Sequence, residues 1–351
     1  PYQYVFQQMM DETIADENVY EIPETRGKQG ERPYAFGRPS SGGGSAAYPC
    51  KNYGQSRFHA VYYYGDFDPN DMRRDVTCTV TGSTGDGSEK IIPFTMGSVA
   101  NNGGIALNKW DENRQANPWV IKSRQAGINT PYMRFSDIIL MLAEVKAALG
   151  DDASAKQYLS MVRNRAFAST SEANVDGFIS KCGSVLDAVL EERKLEFGGE
   201  GIRKYDLARW NKYGEVIYNL YNEMTNWGLV ANGAYVPGIE KVPSNIYYKQ
   251  VTDPEHSDRK VLDIVGIDEY GPGVGRPAGY TVLEYALGWR VLNKETQLYE
   301  TLDAISWSFR GFINKNNDQL VKPTDPVRYL CPYPAKVITD HRGLIRNYYG
   351  Y

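Results

Sequence analysis

Between residues 144 and 209 the chain carries more opposite charge at helical spacing than an amphipathic helix requires. Glu192 and Glu196 stand one turn apart, and Glu200, Arg203, Asp206 and Arg209 follow at steps of three and four. Arg193 falls on the same face as Leu186, Val189, Leu190 and Phe197, where a core residue is expected. Two kinds of chemistry fit this spacing. One is a solvated face of weak ion pairs, each worth a few tenths of a kcal/mol. The other is a partly buried carboxylate–guanidinium network that locks helical hairpins in register, a specificity device more than a source of stability. The place of Arg193 favours the second, with Glu144, Arg193, Glu196, Arg203, Asp206 and Arg209 as its members.

Catalytic chemistry is harder to find. His59, His256 and His341 stand apart with no metal-ligand spacing. No GxSxG elbow, P-loop or helix-opening GxGxxG occurs, and the glycines between Gly82 and Gly87 lack the lysine a phosphate loop needs. The neighbouring carboxylates Glu191/Glu192 and Asp151/Asp152 point apart on a helix and cannot flank one glycosidic bond. Asp66-x-Asp68-x-Asn70 opens like a calcium loop, but Asp71 stands where glycine is required and Thr77 where a chelating glutamate belongs. It reads as a turn. Cys50, Cys78, Cys182 and Cys331 are too few and too scattered for a disulfide framework or a CxxC metal site, so mostly buried free thiols are expected. No catalytic residue, metal or cofactor is expected.

Binding chemistry is better represented. Tyrosine, at 27 residues against 11 Phe and 6 Trp, supplies flat apolar faces with a hydroxyl at low entropic cost. From Glu21 to Phe58 the texture is Gly, Pro, Ser and aromatics without core periodicity, a loop long enough to be functional. Sugars stack on aromatic rings while Asn, Asp and Arg take their hydroxyls, and peptides use similar surfaces. Tyr48, Asn52, Tyr53 and Arg57, joined by Tyr62 and Tyr64, are the first candidates to hold a ligand. Trp227, Asn232 and Tyr235 are the second. Basic and acidic residues, 39 against 43, leave a net charge of −4 with no basic block, which disfavours nucleic acid and anionic ligands.

These groups need a scaffold, and Pro131 to Tyr213 predicts four consecutive helices. Thr130-Pro131 reads as a helix start, followed by an apolar stripe of Phe135, Ile138, Leu142, Val145 and Leu149. Gly150 stops that helix. Asp151-Asp152 caps the next, which carries Ala155, Tyr158, Leu159, Val162 and Ala166, so the two fold back as an antiparallel hairpin. A polar stretch from Ser169 to Asp176 separates them from a helix capped by Ser184 and ended by Gly198-Gly199. A fourth then runs from Glu200 to about Tyr213 with Tyr205, Leu207 and Trp210 inward. Residues 1 to about 20 predict another helix with Val5, Phe6, Met9, Met10 and Ile14 on its apolar side. Val76 to Thr81 and Lys90 to Thr95 predict a small hairpin across a turn from Gly82 to Ser88. Helix is expected through Val216–Met224, loop from Trp227 to Gly238, and helices from about Tyr280 to Asn293 and Glu295 to Ser308. No run of about eighteen apolar residues, the length a membrane-crossing helix needs, is present.

Three separated motifs in this order resemble the SusD/RagB family of outer-membrane lipoproteins. The first is Arg134-x-x-Asp137-Ile138 with Leu142-Ala143-Glu144 and the Val162-Arg163-Asn164-Arg165-Ala166 run. The second is Glu192-Arg193-Lys194-Leu195-Glu196-Phe197 followed by Glu200-Gly201-x-Arg203-x-x-Asp206-Leu207-x-Arg209-Trp210. The third is Tyr329-Leu330-Cys331-Pro332-Tyr333-Pro334 with Gly343-Leu344-Ile345-x-Asn347 and Gly350-Tyr351. The resemblance implies a mainly α fold, SusD-like, with tetratricopeptide-like helical hairpins, long ligand-facing loops and a minor β-hairpin. It implies one domain over 1–351 lacking its N-terminal helical part: a loop-rich ligand-facing region at 1–130, the helical block at 131–213, and an insertion and closing segment at 214–351. That closing segment, Tyr329 to Tyr351, is expected to pack back on helices with little regular structure. The implied role is non-catalytic: capture of a glycan or peptide nutrient on the extracellular face of the outer membrane, for a SusC/RagA-type TonB-dependent transporter. The resemblance implies membrane attachment only through an N-terminal lipid anchor that is expected to lie outside these residues, since Pro1-Tyr2-Gln3 looks like neither an initiator nor a signal peptide. A glycoside hydrolase and a tetratricopeptide scaffold are the alternatives; the second lacks a fixed repeat period.

Overall fold

A computed structural model describes residues 2–11, 13–30, 32–40, 50, 52, 57–58, 61–84, 86, 88–92, 105–116, 125–231, 245–254, 257–265 and 278–284, with short stretches at 291–292, 299–300, 313–314, 319–320, 333–342 and 344–346. The fold is mainly α. Helix α1, Tyr2–Met10, buries Tyr2, Val5, Phe6, Met9 and Met10 as the spacing predicts, but it stops there. Ile14 is exposed, and Asn18–Ile22 forms strand β1. The partner of β1 is β7, Thr130–Arg134, in an antiparallel ribbon. The Thr130-Pro131 start is thereby corrected: the helix α4 begins only at Phe135 and runs Phe135–Ala148. A proline near the start of a strand sacrifices only one ladder donor, so the pairing is tolerated.

Helix α4 is apolar on nearly every side, which is why its core face was misplaced. The structure buries Ser136, Asp137, Ile139, Leu140 and Ala143, and leaves Phe135, Leu142, Val145 and Leu149 exposed. Asp137 turns inward for an arginine partner described below, and that polar contact sets the rotation of the helix. Gly150 and Asp151 then reverse the chain. Asp151 caps α5, Asp152–Asn164, by accepting from the Ser154 N–H at 3.1 Å, and Ala155, Leu159 and Val162 pack back on α4 as an antiparallel hairpin. The polar stretch after Ser169 is helical, not irregular. Ser169 caps α6, Thr170–Ala173, and Asn174 in the left-handed region ends it while capping α7, Val175–Cys182. Helix α8, Val185–Glu196, starts on the Ser184 cap. The following helix, α9, is only Arg203–Arg209, with Tyr205 outward; α10, Tyr213–Ala231, runs on through Trp227, where a loop was expected. Among the described residues no helix is long and apolar enough to cross a membrane.

The β elements are small. A short helix α2, Arg32–Phe36, lies within the loop-rich region. Strands β2, Arg57–Phe58, β3, Cys78–Thr79, and β6, Ile105–Leu107, form one antiparallel sheet in the order β2-β6-β3. A hairpin forms here but displaced from the expected one: β4, Thr81–Ser83, pairs with β5, Glu89–Ile91, while Cys78–Thr79 pairs with β6 and Arg73–Thr77 is helix α3. A π-helical turn, Val61–Asp66, leads into the Asp68–Asn70 turn, where Asp68 accepts from the Asn70 N–H and Asp71 is taken by Arg73. The helix expected at 280–293 is corrected to strand. Thr281–Glu284, here β10, pairs with β8, Asn245–Thr252, which pairs with β9, Lys260–Val265. Two β-branched residues and two facing tyrosines, Tyr247 and Tyr248, suit a pleated surface better than a helix. Within the second expected helix, Tyr299–Glu300 also pairs as strand, with Val291–Leu292. In the closing segment Ala335–Asp340 is a short helix with no buried residue.

The main core lies where these layers meet. Leu140, Ala143, Leu159, Val162, Ala188, Val189, Leu195 and Phe197 from the helices enclose Tyr62, Tyr63, Phe67, Cys78, Val80, Ile91 and Ile105 from the smaller elements. Cys50 and Cys78 are buried free thiols and Cys182 is half-buried.

Candidate functional site

Helix α8 carries carboxylates on its buried face, and the rest of the fold converges cations on them. Glu192 and Glu196 are wholly buried, and Glu200 nearly so. Arg73 at the start of α3 donates to Glu192 at 2.6 Å and Glu196 at 3.2 Å while holding Asp71 at 2.7 Å. Arg134 at the end of β7 reaches Glu196 at 2.9 Å, Glu200 at 2.8 Å and Glu17 at 2.6 Å. Lys109 meets Glu200 at 2.6 Å, Arg163 meets Glu192 at 3.1 Å, and Arg165 spans Glu17 and Glu196. Among the described residues, five cations thus pair with these five carboxylates. Burial by itself would raise the Glu196 carboxyl, but the guanidiniums of Arg165, Arg134 and Arg73 outweigh it and hold the group well below the usual range. Glu200 is lowered in the same way by Arg134 and Lys109.

The network expected from sequence is divided by this arrangement. Glu196 belongs to the inner cluster. Arg193 and Asp206 form a second buried group, with Arg193 at 2.6 Å from Asp137 and 2.9 Å from Asp206. Arg209 and Glu144 continue outward from it, with side chains 42% and 18% exposed, and Glu144 also accepts from the Trp210 indole. Arg203 is partly buried over the Trp210 ring and donates to the Leu190 carbonyl. Burial between hairpins therefore holds for Arg193, Glu196 and Asp206, not for Arg209. Among the inner cluster's cations, Lys109 and Arg73 carry no helical-period signal because their partners lie far along the chain.

A cleft of about 480 Å³ opens beside this core, between α3, the β4–β5 hairpin and β9. Arg74 lies 5.3 Å from the centre of the Tyr63 ring and pairs with Asp75 at 3.1 Å; the Tyr63 hydroxyl donates to the same carboxylate at 2.8 Å. Asn108 donates to the Asp75 carbonyl at 2.8 Å. Across the floor Arg38 binds Glu89, Thr81 and Asp111, and Arg114 reaches Asp111 at 3.6 Å. The far wall is Val261, Leu262 and Ile264, fastened to the hairpin by the Leu262 N–H donating to Glu89 at 3.0 Å. Asp75, with a side chain 59% exposed, is the open acceptor of the site. Every guanidinium at the cleft has a carboxylate beside it, so the field is balanced and an anion gains little there. A polar floor opposite an aliphatic wall suits a ligand with hydroxyls on its edge and C–H groups on its face.

The sequence candidates are distributed differently. Tyr62 is a core residue: it stacks on Phe58 at 4.9 Å, meets Phe67 edge-on, and its hydroxyl donates to the Lys194 carbonyl, so its ring presents no face to a ligand. Asn52 is buried and pairs with Ser40 through the backbone. Arg57 lies in β2, Tyr64 in the π-helical turn and Trp227 in α10, with side chains outside the described residues. Tyr48, Tyr53, Asn232 and Tyr235 fall outside the described residues altogether. Those placed are not brought together. The cleft residues Arg74, Asp75, Glu89 and Asn108 leave no signal in the sequence because they come from separate short elements with no shared periodicity.

The sequence profile of the SusD family matches residues 46–351. A SusD-like protein P25 from Formosa agariphila is 38% identical over 92 residues, which are 26% of this chain and 17% of that protein. Among solved structures, a SusD homologue from Bacteroides thetaiotaomicron aligns with a TM-score of 0.47 at 18% identity, over 64% of this chain and 46% of that one. Surface glycan-binding protein A from the same organism, in complex with laminarihexaose, aligns with a TM-score of 0.43 at 22% identity, over 61% and 46%. The chain thus spans about half the length of the solved relatives it matches.

Proposed function

The chain belongs to the SusD family, and from that premise we propose that it is a cell-surface protein that captures a neutral glycan without cleaving it. The observation that carries this reading is the charge-balanced cleft walled by Val261, Leu262 and Ile264. A pyranose presents equatorial hydroxyls to Asp75, Arg74 and Asn108 while its C–H face lies on the aliphatic wall. The bound glycan is then handed to a SusC/RagA-type TonB-dependent transporter in the outer membrane. Further stacking rings for the same ligand are proposed from the segment of Tyr48 and Tyr53 and from Trp227.

Calorimetry against neutral oligosaccharides, beginning with laminarihexaose, tests the cleft. Asp75→Ala should weaken binding about tenfold, the loss of a charge-assisted hydrogen bond, in a protein that stays folded although Arg74 and the Tyr63 hydroxyl lose a partner and its melting temperature falls. Equal affinity of native protein and variant would remove the cleft from the reading. Release of reducing ends during prolonged incubation would instead mark a glycoside hydrolase.

A further inference from the structure

The β1–β7 ribbon holds two aromatic rings out of the protein. Tyr20 and Tyr132 are 59% and 64% exposed, yet they touch each other edge to face, with centroids 5.8 Å apart and planes at 83°. Both lie outside the buried clusters, and neither hydroxyl has a hydrogen-bond partner within the described residues. The strand beneath them is firmly held. Arg134 ends β7 inside the buried ion cluster, and the Phe135 N–H donates to the Glu17 carbonyl at 2.8 Å. Across the ribbon, Asn18 and Asn129 both donate to Glu21, at 2.6 and 2.8 Å, and the Glu24 N–H donates to Asn129 at 3.0 Å. Two rings on a base braced by these bonds are already ordered before any ligand arrives, so little entropy is lost on binding.

We propose that this ribbon is a second sugar-stacking site, separate from the cleft, taking one pyranose ring of a neutral glycan against Tyr20 and Tyr132. The inference rests on the glycan reading above. An apolar sugar face suits the open face of one ring while the other ring's edge limits its slide, and the two unpartnered tyrosine hydroxyls can meet hydroxyls of the sugar. Two tyrosines, at roughly 150–250 Å² each, fall short of the ~800 Å² that each partner buries in a stable protein interface. The outer stripe of α4, with Leu142, Val145 and Leu149, is aliphatic and offers no such flat surface. Two sites on one molecule would bind a long chain with avidity that neither has alone.

The test compares four proteins by calorimetry with a panel of neutral gluco-, manno- and galacto-hexasaccharides: native, Tyr20→Ala/Tyr132→Ala, Asp75→Ala, and the triple variant. Fluorotyrosine NMR, assigned through Tyr20→Phe and Tyr132→Phe, reads the rings directly. The expected result is that sugar shifts both ring signals in native protein and in Asp75→Ala. Removing the rings from the Asp75→Ala background should weaken the remaining binding at least about fivefold, the scale of ring contacts, and the Phe variants should bind within about twofold of native. If hexasaccharides bind but the ring signals stay still and the double variant binds as native does, the ribbon site is overturned and the cleft stands. If no hexasaccharide binds native protein, both readings fall together. If the ring signals move only with protein concentration, the ribbon is a contact between copies and the proposal is overturned.

Discussion

A single guanidinium decides more here than a surface pair, because its partners have no water to turn to. Arg134→Ala would leave Glu196 to Arg73 and Arg165 and Glu200 to Lys109, an uncompensated negative charge in a dry interior, and should cost about 3–5 kcal/mol in denaturant unfolding. Glu144→Ala breaks a pair whose arginine is 42% exposed, and should cost under about 1 kcal/mol. Similar losses from the two variants would contradict the division into inner and outer groups. The same residues set the response to pH. Glu196, Glu200 and Glu17 are held below their ordinary values, so between those lowered values and about 4.5 the unfolded chain binds more protons than the folded one. Stability therefore falls as acid is added below about pH 4.5. Glu112 behaves oppositely. Burial, then the neighbouring Asp111, pushes it up to about 8, and burial pushes Asp66 to about 6 despite Lys194. There the folded chain holds the extra proton, so stability declines as pH rises from about 4.5 toward 8. Thermal melts across pH should peak in the weakly acid range, and Glu112→Gln should flatten the alkaline side. A peak at pH 8 would refute this.

At the scale of elements, local signals succeeded where one residue settles the backbone and failed where a distant partner does. Asp151, Ser184 and Gly150 were legible because a cap or a left-handed turn is a property of a few neighbouring residues. The rotation of α4 was not, since its apolar residues nearly encircle it and Asp137 is drawn in by Arg193, 56 residues away. The strands β8, β9 and β10 were missed for a similar reason, their pairing lying outside any local window. Backbone crossings are equally hidden. Gly127 has φ +74°, and a Cβ there would lie 2.4 Å from the Arg26 nitrogen. Gly127→Ala should lower the melting temperature by several degrees, through strain and collision together. Gly150, also at positive φ but facing open space, should tolerate alanine better. Equal effects at the two positions would show that the crossing at Gly127 relaxes freely.

For the molecule as a whole, Arg193 on an apolar face is enough to predict a buried charge paired between helices. It could not reveal the cleft, whose polar groups sit on α3, β5 and the chain after β6. Nor could it reveal that Arg73 and Lys109 supply the inner cluster. That cluster also governs the order in which the chain can mature. Arg73 waits for Glu192, 119 residues further on, and Arg134 waits 62 residues for Glu196. A ribosome adding about 5–20 residues per second makes the first interval last roughly 6–24 s. Throughout it Arg73 has only Asp71 and Arg134 only Glu17, so the cluster is incomplete and burying it is costly, which delays closure of the N-terminal core. Formation of α8 is then the committing event: the newborn chain stays open until that helix arrives, and closes around it in a single late step.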